Sequence, residues 1–380
     1  MPGLQFVTDL AELDRHSNDW DRLARQRLTY FPPYEDARRE LASTPFLAAI
    51  YETVSGVQGL ASFVSQRSLD QFAIGERHLF SAPVRETQLY GGGILGSFGD
   101  GADLGAVVRR GLSQWPCDLF TLGEVDRQSP LIAAAAPLPG VMPIRRTRNH
   151  PIRWLIPLPP TFDDYLKSLR PSTRKAIGYA IRHFARECEL AHDVISKPSQ
   201  VEEFLREAER ISRKTYQWGV GDRIINDEPT RVRYRQLAEE GRFRGLLLRV
   251  GGQTCAFAHG AISGDAFVYE TPGFDPQWRR YSPGVVALAL TIREAIEQTG
   301  CKQFDFGPGG DTDGYKARFG TFAIPSVSLQ FACLTRARGL SLYLGHAALS
   351  LGKGLASGLL PGQRLRQRLR KAVRRYNEGG

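Results

Sequence analysis

The chain has 380 residues, of which 42% are hydrophobic and 24% are charged. This composition is that of a globular protein with an ordinary core, and the length predicts two domains plus an extension. The net charge of +10 belongs to the tail, because residues 336–380 hold ten Lys and Arg against one acidic residue. The remainder is nearly neutral, which excludes a nucleic-acid surface spread over the whole body.

Cysteine usage and the first residues indicate the compartment. Five cysteines are scattered along the chain, without a CxxC motif or a Cys/His spacing suited to zinc. We therefore expect free thiols in a reducing compartment and no metal site. The opening MPGLQFVTDLAELDRHS shows no basic stretch followed by an apolar one, so no secretory signal is expected. The sequence predicts a cytoplasmic protein.

Residues 44–122 predict a first set of elements. Residues 44–51 favour a helix on a sheet, and two short strands are expected at 60–64 and 71–74. The run YGGGILG at 90–96 lacks the Gly-x-x-x-x-Gly-Lys form of a phosphate loop, so a turn or bulged strand is the better interpretation. A helix at 103–115 and a strand at 119–122 follow. The order strand, glycines, helix, strand is that of one α/β unit.

A second set of elements begins after Pro157-Leu158-Pro159-Pro160, which marks a domain boundary. Thr161 is placed to cap a helix with an acidic first turn. The elements expected after it are helices at 172–188, 201–218 and 231–240, a β-hairpin of 244–250 with 253–262, and a strand at 266–270.

The stretch 279–306 organises the second set. Ser282 is a good N-cap, and Pro283 suits the first helical position, where a missing N–H costs nothing. Gly300 ends this helix, and Phe304-Asp305-Phe306 starts a strand. A helix that opens on Ser-Pro-Gly aims unpaired N–H groups and its positive dipole end outward, which suits a phosphate or pyrophosphate. An ordinary capped helix is the alternative.

The residues near the start of this helix are suited to contact a phosphate or pyrophosphate. Gly284 lets a ligand approach the backbone, with Val285 next in the turn, and Arg279 or Arg280 can add a charge-assisted contact. The spacing Arg279-x-x-Ser282-x-Gly284 resembles the Gln/Arg-x-x-Gly-x-Gly/Ala loop that holds the acyl-CoA pyrophosphate in the GNAT acyltransferase superfamily. Ser282 departs from the first glycine of that loop.

Longer strings strengthen the resemblance. The run GFDPxW…SPG…FDF…GYKxRF, together with SLRPSTRKAI at 168–177, is similar to the bacterial CelD-like (BioF-like acetyltransferase domain) family, which is related to the FemABX transferases. The resemblance covers roughly residues 152–334. It implies an α/β (α+β) fold of tandem GNAT-like domains, in which a mixed sheet is flanked by helices. The expected divisions are a degenerate GNAT-like domain at 1–156, an acyltransferase domain at 157–335 and a helical tail at 336–380.

The resemblance also implies the chemistry. Acetyl-CoA or another acyl-CoA would be the co-substrate, without a metal. The candidates for proton transfer are His259, Glu270, Asp305, Asp311, Asp313 and Tyr315. Of these, Tyr315 is the best candidate to protonate the leaving thiolate. A lone His in an apolar strand is more often a core residue than a base, whereas Glu270 ends a strand beside the loop.

Acceptor contacts are expected in a glycine-rich loop and at a helix start. The loop after the FDF strand holds a polar cluster that includes Asp311, Lys316 and Arg318. In the resembling family its GYKxRF segment lines the acceptor side, which implies acceptor or phosphate contacts for Tyr315, Lys316 and Arg318. The alternative is that Lys316 and Arg318 pair with Asp305 and Asp311. Arg174 and Lys175 lie near a helix start, where the dipole disfavours cations, and this suggests a binding role.

The spacing of the apolar residues in the tail predicts a helix at 340–360 and then a basic amphipathic helix at 363–376. Such a helix can lie on an anionic membrane, bind RNA or pack on the body. The resemblance implies an acyl-CoA-dependent N- or O-acyltransferase that acts on a sugar or envelope precursor. The tail adds an expected peripheral contact with an anionic membrane. The alternatives are a FemABX-like transferase that uses aminoacyl-tRNA and a non-catalytic scaffold tethered by the tail.

Overall fold

The computed structural model describes residues 3–27, 29–74, 77–99, 101–135, 138–146, 152–188, 191–215, 223–307 and 314–359. The chain forms two compact units. Unit 1 comprises Met1–Asp14, Arg39–Arg148 and Val327–Gly380, and unit 2 comprises Arg15–Arg38 and Asn149–Ser326. The sequence predicted three contiguous divisions, whereas each unit of the structure is assembled from separate stretches of the chain.

The elements have the following bounds. The α-helices are Leu10–Asp14, Ser17–Arg25, Tyr34–Leu41, Gly101–Ser113, Pro130–Ala135, Phe162–Ser168, Pro171–Cys188, Val201–Ser212, Glu228–Glu239, Pro283–Gln298, Tyr315–Phe319 and Ala337–Leu359, and the 3₁₀ segments are Tyr90–Gly92, Pro198–Gln200 and Pro276–Tyr281. The strands are β1 (Gly3–Val7), β2 (Phe46–Thr53), β3 (Gly56–Ile74), β4 (Arg77–Leu89), β5 (Leu95–Gly96), β6 (Leu119–Asp126), β7 (Val141–Arg146), β8 (Ile152–Pro157), β9 (Ala191–Ile195), β10 (Phe243–Val250), β11 (Gln253–Ser263), β12 (Ala266–Tyr269), β13 (Gly273–Phe274), β14 (Gln303–Asp305) and β15 (Phe322–Cys333).

Unit 1 is a mixed sheet with helices. Its strands follow the order β1-β2-β3-β4-β6-β15, while β5 pairs with β3 and β7 pairs with β15. β4 and β6 are parallel, and the pairs β1–β2, β2–β3 and β3–β4 are antiparallel. The Gly101–Ser113 helix packs its Leu104, Val107 and Val108 into the core of this unit.

Unit 2 is a second mixed sheet. Its order is β9-β10-β11-β12-β14-β8-β15, with the first residues of β15 next to β8. β12 and β14 are parallel, and the other paired strands are antiparallel. The Pro283–Gln298 helix between β12 and β14 is buried along most of its length, because it packs on β10 and β11 and on the helices Phe162–Ser168 and Pro171–Cys188.

The two units repeat one topological element. In unit 1, β4 leads through Tyr90–Gly92 to the Gly101–Ser113 helix and back to β6, which is parallel to β4. In unit 2, β12 leads through Pro276–Tyr281 to the Pro283–Gln298 helix and back to the parallel β14. A parallel pair needs such a crossover connection. The strand–glycine–helix–strand order expected from the sequence is thus present in the first unit.

Residues 15–38 belong to unit 2, which no sequence pattern predicted. The indole of Trp20 donates to the carbonyl oxygen of Pro32 at 2.8 Å, and its ring packs on Phe31 and Tyr34. Asp36 forms a two-pronged ion pair with the guanidinium of Arg242. This pair attaches the N-terminal segment to the β10–β11 hairpin of the same unit.

The sequence assigned two segments wrongly. Residues 44–51 are not a helix: they lie mainly in β2, which pairs with β1 and β3. Phe46–Ile50 is buried on both faces, so the run is apolar throughout and its pattern cannot distinguish a central strand from a helix. The two short strands expected at 60–64 and 71–74 are parts of the single 19-residue strand β3.

Other expectations hold. Thr161 caps its helix by accepting from the Asp164 N–H at 3.1 Å, and the β10–β11 hairpin turns at Gly251-Gly252. Gly300 has the positive φ of +69° expected after a helix. All five cysteines are free and buried. No helix in the described ranges is long and apolar enough to cross a membrane.

Candidate functional site

The sheet of unit 2 opens where β12 and β14 end. The two strands pair only from Ala266–Val268 to Gln303–Asp305. Beyond this, the Glu270 N–H donates to the His259 carbonyl at 3.0 Å, whereas the Phe306 N–H donates to the Trp154 carbonyl at 3.1 Å. The ends of the strands therefore bond to different neighbours. A crevice at the carboxyl ends of parallel strands is where open α/β sheets bind ligands.

The helix that follows β12 begins at Ser282, and the backbone of this residue has an unusual conformation. Its φ of 54° and ψ of 46° are left-handed, and it is the single non-glycine residue with positive φ in the described ranges. The predicted N-cap is wrong in its mechanism, because the Ser282 side chain makes no capping hydrogen bond. Its carbonyl oxygen instead accepts from the N–H groups of Val285 at 3.0 Å and Val286 at 3.2 Å.

The left-handed conformation explains the residue preference of the resembling motif. An L-residue with a Cβ atom incurs about 1–2 kcal/mol in this region, which glycine avoids. The motif places glycine at the position that Ser282 occupies. Strained backbone of this kind is concentrated at ligand clamps and active sites.

Around the helix start, the arrangement suits an anion. Arg279 and Arg280 are both exposed, and the guanidinium of Arg280 lies 4.6 Å from the ring centroid of Tyr281. A Cβ atom on Gly284 would lie 3.2 Å from the Phe274 ring, so a larger residue would crowd this turn. Two cations beside a helix N-terminus fit a pyrophosphate, although the Val285 N–H is already bonded within the turn.

Glu270, at the end of β12, is the centre of a hydrogen-bonded cluster. Its Oε2 accepts from the Tyr234 hydroxyl at 2.8 Å and lies 3.2 Å from His259 Nε2. Its Oε1 accepts from Arg233 Nη2 at 2.8 Å. Tyr234 Oη and His259 Nε2 are 2.8 Å apart. Because the Tyr234 proton goes to Glu270, we assign the Nε2–H tautomer to His259, which then donates to both neighbours.

The electrostatics of this cluster favour an ionised Glu270. Burial alone would raise the pKa of its carboxyl, but the hydrogen bond and electrostatic attraction of His259, the charge of Arg233 and the hydrogen bond of Tyr234 lower it to about 2. Burial and the adjacent carboxylate raise the pKa of Tyr234 well above its ordinary value. Glu270 is thus a stable carboxylate and a weak base, with 22% of its side chain exposed.

His259 lies deep in the cluster. It is 1% exposed and contacts the rings of Phe204, Phe243 and Phe257. Its Nδ1 has no hydrogen-bond partner among the described residues. This burial agrees with the expectation that His259 is a core residue. Its contact with the candidate site is the interaction with Glu270.

Asp305 has a structural partner. Arg153 on β8 donates from Nε to both carboxylate oxygens at 3.1 and 3.0 Å, and its Nη2 lies 2.7 Å from Oδ2. Asp305 is fully buried and also accepts from the Gly307 and Tyr30 N–H groups. The expected alternative pairing of Asp305 with Lys316 or Arg318 is therefore wrong.

The remaining predicted site residues lie in two places. Tyr315, Lys316 and Arg318 are on the short Tyr315–Phe319 helix, where Tyr315 is 40% exposed and its ring centroid lies 6.4 Å from that of Phe306. Asp311 lies outside the described residues. Arg174 and Lys175 are exposed in the first turns of the Pro171–Cys188 helix.

Four residues that contact Glu270 or Asp305 were not predicted from the sequence: Tyr234, Arg233, Arg153 and Tyr30. Tyr234 lies on a helix whose pattern predicted only helicity. A buried aromatic hydroxyl needs a partner, so the one Tyr on the buried face of that helix was the available signal. No comparable signal existed for Arg153, which lies in an apolar strand.

Comparison with known proteins agrees with this geometry. Residues 171–317 match the family model of the acetyltransferase (GNAT) domain. The predicted fold class, a GNAT-like mixed sheet flanked by helices, is confirmed. No curated protein matches the chain. Placement in the CelD-like branch stays a prediction.

Solved structures resemble the chain at low sequence identity. FemX matches with a TM-score of 0.55 at 11% identity, over 84% of this chain and 96% of that one. A tandem GNAT protein from the clavulanic acid biosynthesis pathway, solved without acetyl-CoA, matches with a TM-score of 0.47 at 12% identity, over 86% and 97%. A GCN5-related N-acetyltransferase from Kribbella flavida matches at 0.40 and 11%, over 87% and 72%. The likeness to FemX is one of fold.

Proposed function

We propose that this protein is an acyl-CoA-dependent N- or O-acyltransferase whose reaction centre lies in unit 2. The observation that carries the proposal is the separation of β12 from β14 beside a helix that starts at the strained Ser282. The GNAT domain match over residues 171–317 supports an acyl transfer. Arg279 and Arg280 supply positive charge at the same place.

The turn at the helix start would hold the pyrophosphate of the acyl-CoA. Arg279 and Arg280 would neutralise its charge, while Ser282, Gly284 and Val285 shape the turn. When bound, this co-substrate supplies an activated thioester. In the transfer, the acceptor nitrogen or oxygen forms a bond to the acyl carbon and the carbon–sulfur bond breaks. The thiolate takes a proton from Tyr315, the acceptor releases its proton to solvent, and Tyr315 is reprotonated from solvent.

Two side chains would contact the reacting groups. Tyr315 would donate its phenolic proton to the departing thiolate. Glu270 would accept a hydrogen bond from the acceptor amine or hydroxyl, and its low pKa keeps it charged for this purpose. Tyr234 and Arg233 hold the Glu270 carboxylate in place, and His259 supports it from the core.

We propose a sugar or an envelope precursor as the acceptor, on the resemblance to the CelD-like family. Lys316, Arg318, Arg174 and Lys175 would contact its anionic or hydroxyl groups, with Asp311 nearby in sequence. The fold shared with FemX keeps an aminoacyl-tRNA-dependent reaction as the second candidate. A scaffold without catalysis is the third.

Calorimetry with the full chain tests the donor. We expect micromolar binding of acetyl-CoA and CoA, and its loss in Gly284→Glu, which places bulk and negative charge at the turn. Gly284→Ala should retain binding within a few-fold, since the Phe274 ring has to shift only slightly. Gln253→Glu, an exposed change on the β10–β11 hairpin, is the matched control for charge.

Two results would redirect the assignment. Binding that Gly284→Glu leaves intact would remove the pyrophosphate from this turn. Failure of every CoA ester to bind would contradict the acyl-CoA proposal and favour charged tRNA, to be tested next by aminoacyl transfer.

A further inference from the structure

The C-terminal Ala337–Leu359 helix is fixed to unit 1 by one face. His346 Nε2 lies 2.6 Å from Asp70 Oδ2 on β3, and both side chains are buried. The His346 ring also stacks on Phe72, with centroids 4.4 Å apart. Leu342 on the same face is 3% exposed. These contacts determine which face of the helix is turned toward the β3–β4 hairpin.

The opposite face is apolar and exposed. Leu340 is 43% exposed, Leu344 57% and Leu351 70%. Their spacing of four and seven residues places them along one side of a helix. We call these three side chains the outer leucine face. Between residues 337 and 351 the only charged side chain is Arg338, whose Nη1 donates to the Pro83 carbonyl oxygen at 3.1 Å.

A helix that is apolar on both faces needs a second apolar partner. The hairpin covers the inner face, and in the described part of the chain nothing large and apolar covers the outer leucine face, since its side chains remain exposed. No described helix can cross a membrane, so an orientation across a bilayer does not fit. A helix that lies flat at a membrane surface can keep its inner face on the hairpin while its outer leucine face contacts the hydrocarbon.

The adjacent sequence identifies the charge of the partner. Residues 360–380 hold seven Arg and Lys against one Glu, and residues 336–377 hold no acidic residue at all. Leu365, Leu369, Val373 and Tyr376 recur at helical spacing within this basic stretch. A second copy of this chain would bring a like-charged tail, and RNA would offer no apolar surface to leucine. An anionic bilayer offers both negative charge and hydrocarbon.

We propose that the outer leucine face docks the protein in the plane of an anionic lipid surface, with the basic residues after position 360 bound to the headgroups. The β3–β4 hairpin holds the helix in place through the contact between His346 and Asp70. This docking is independent of the acyl transfer proposed for unit 2. It would confine the reaction to substrates at or near a membrane.

Flotation of the full chain with vesicles tests the proposal. Phosphatidylcholine vesicles are compared with vesicles that also contain phosphatidylglycerol. We expect at least ten-fold more protein with the anionic vesicles, decreasing as salt is added. The paired change Leu344→Glu with Leu351→Glu should reduce binding at least ten-fold without lowering the melting temperature. Val54→Glu, at a 94% exposed apolar position of the same unit, is the control and should bind like the parent.

Three results would overturn the proposal. The first is no preference for anionic vesicles. The second is binding that the paired leucine change leaves intact but that Arg364→Gln with Arg368→Gln abolishes, because the basic stretch would then act alone. The third is a dimer in light scattering that the leucine change dissociates, which would assign the outer leucine face to a second copy.

Discussion

Arg153 Nη2 and Asp305 Oδ2 lie 2.7 Å apart in the core of unit 2, where Asp305 is fully buried and Arg153 is nearly so. The pair links β8 to β14. Asp305 also accepts from the Gly307 N–H at 2.8 Å, which fixes the turn where β14 leaves β12. The opening of the sheet at the candidate site therefore depends on a buried ion pair.

Removing one member of this pair should destabilise the protein strongly. In Asp305→Asn the Arg153 guanidinium stays buried without its counter-charge, and breaking a buried pair in this way costs about 3–5 kcal/mol. Urea unfolding followed by circular dichroism measures the loss. Lys302→Met is the control, since the Lys302–Asp265 pair is 77% and 60% exposed and should contribute less than about 1 kcal/mol. Equal losses in the two variants would contradict the prediction.

Ser282→Gly should stabilise the protein slightly or leave it unchanged. Glycine relieves the left-handed strain, which is about 1–2 kcal/mol, but adds freedom to the unfolded chain. Ser282→Val should destabilise by more than about 1 kcal/mol, since β-branched residues tolerate this region least. Ser172→Gly, in an ordinary helical turn, should cost up to about 1 kcal/mol and serves as the control in urea unfolding. Stabilisation by valine would refute the strain.

Glu270 should produce a specific dependence of stability on pH. Its pKa is about 2 in the folded protein against an ordinary 4.5, so folding favours the ionised form. The resulting stabilisation is complete above the ordinary value and is lost as the pH falls through the folded one. The stability difference between the parent and Glu270→Gln should thus be constant near neutrality and shrink between about pH 4.5 and 2. Glu12→Gln, at an exposed carboxyl, is the control, and a difference that grows in acid would argue against the assignment.

Tyr315→Phe should lower turnover about 100-fold or more while the protein stays folded, because a proton donor to the leaving thiolate contributes on that scale. The side chain is 40% exposed, so loss of its hydroxyl should change the melting temperature little. Turnover is measured as release of the CoA thiol with a fixed acceptor. Tyr179→Phe, at 61% exposure on another helix, should behave like the parent. Unchanged turnover in Tyr315→Phe would remove it from the mechanism.

The local elements of unit 2 could be predicted because their signals are local. The Thr161 cap, the Gly251-Gly252 hairpin turn and the Pro283 helix start each depend on a few adjacent residues. The residues 44–51 could not be assigned correctly. Their apolar run is buried on both faces of the sheet, and only its pairing with β1 and β3 makes it a strand.

The composition of the candidate site was only partly predictable. Glu270 and Tyr315 could be identified because both are polar residues near the ends of predicted strands, in a sequence that resembles the GNAT superfamily. Tyr234 and Arg233 come from a helix more than 30 positions away, so their bonds to Glu270 depend on how helix and sheet pack. Hydrogen bonds between distant segments leave no periodic signal.

The sequence by itself determined the fold class, the helix start at Pro283, the neutral body and the basic tail, because propensity, spacing and charge are properties of neighbouring residues. Tertiary structure decided the rest. It placed residues 15–38 in unit 2, paired Asp305 with Arg153, held Glu270 ionised and left the outer leucine face exposed. These features depend on which side chains are brought together and removed from water, and only the packed chain specifies that.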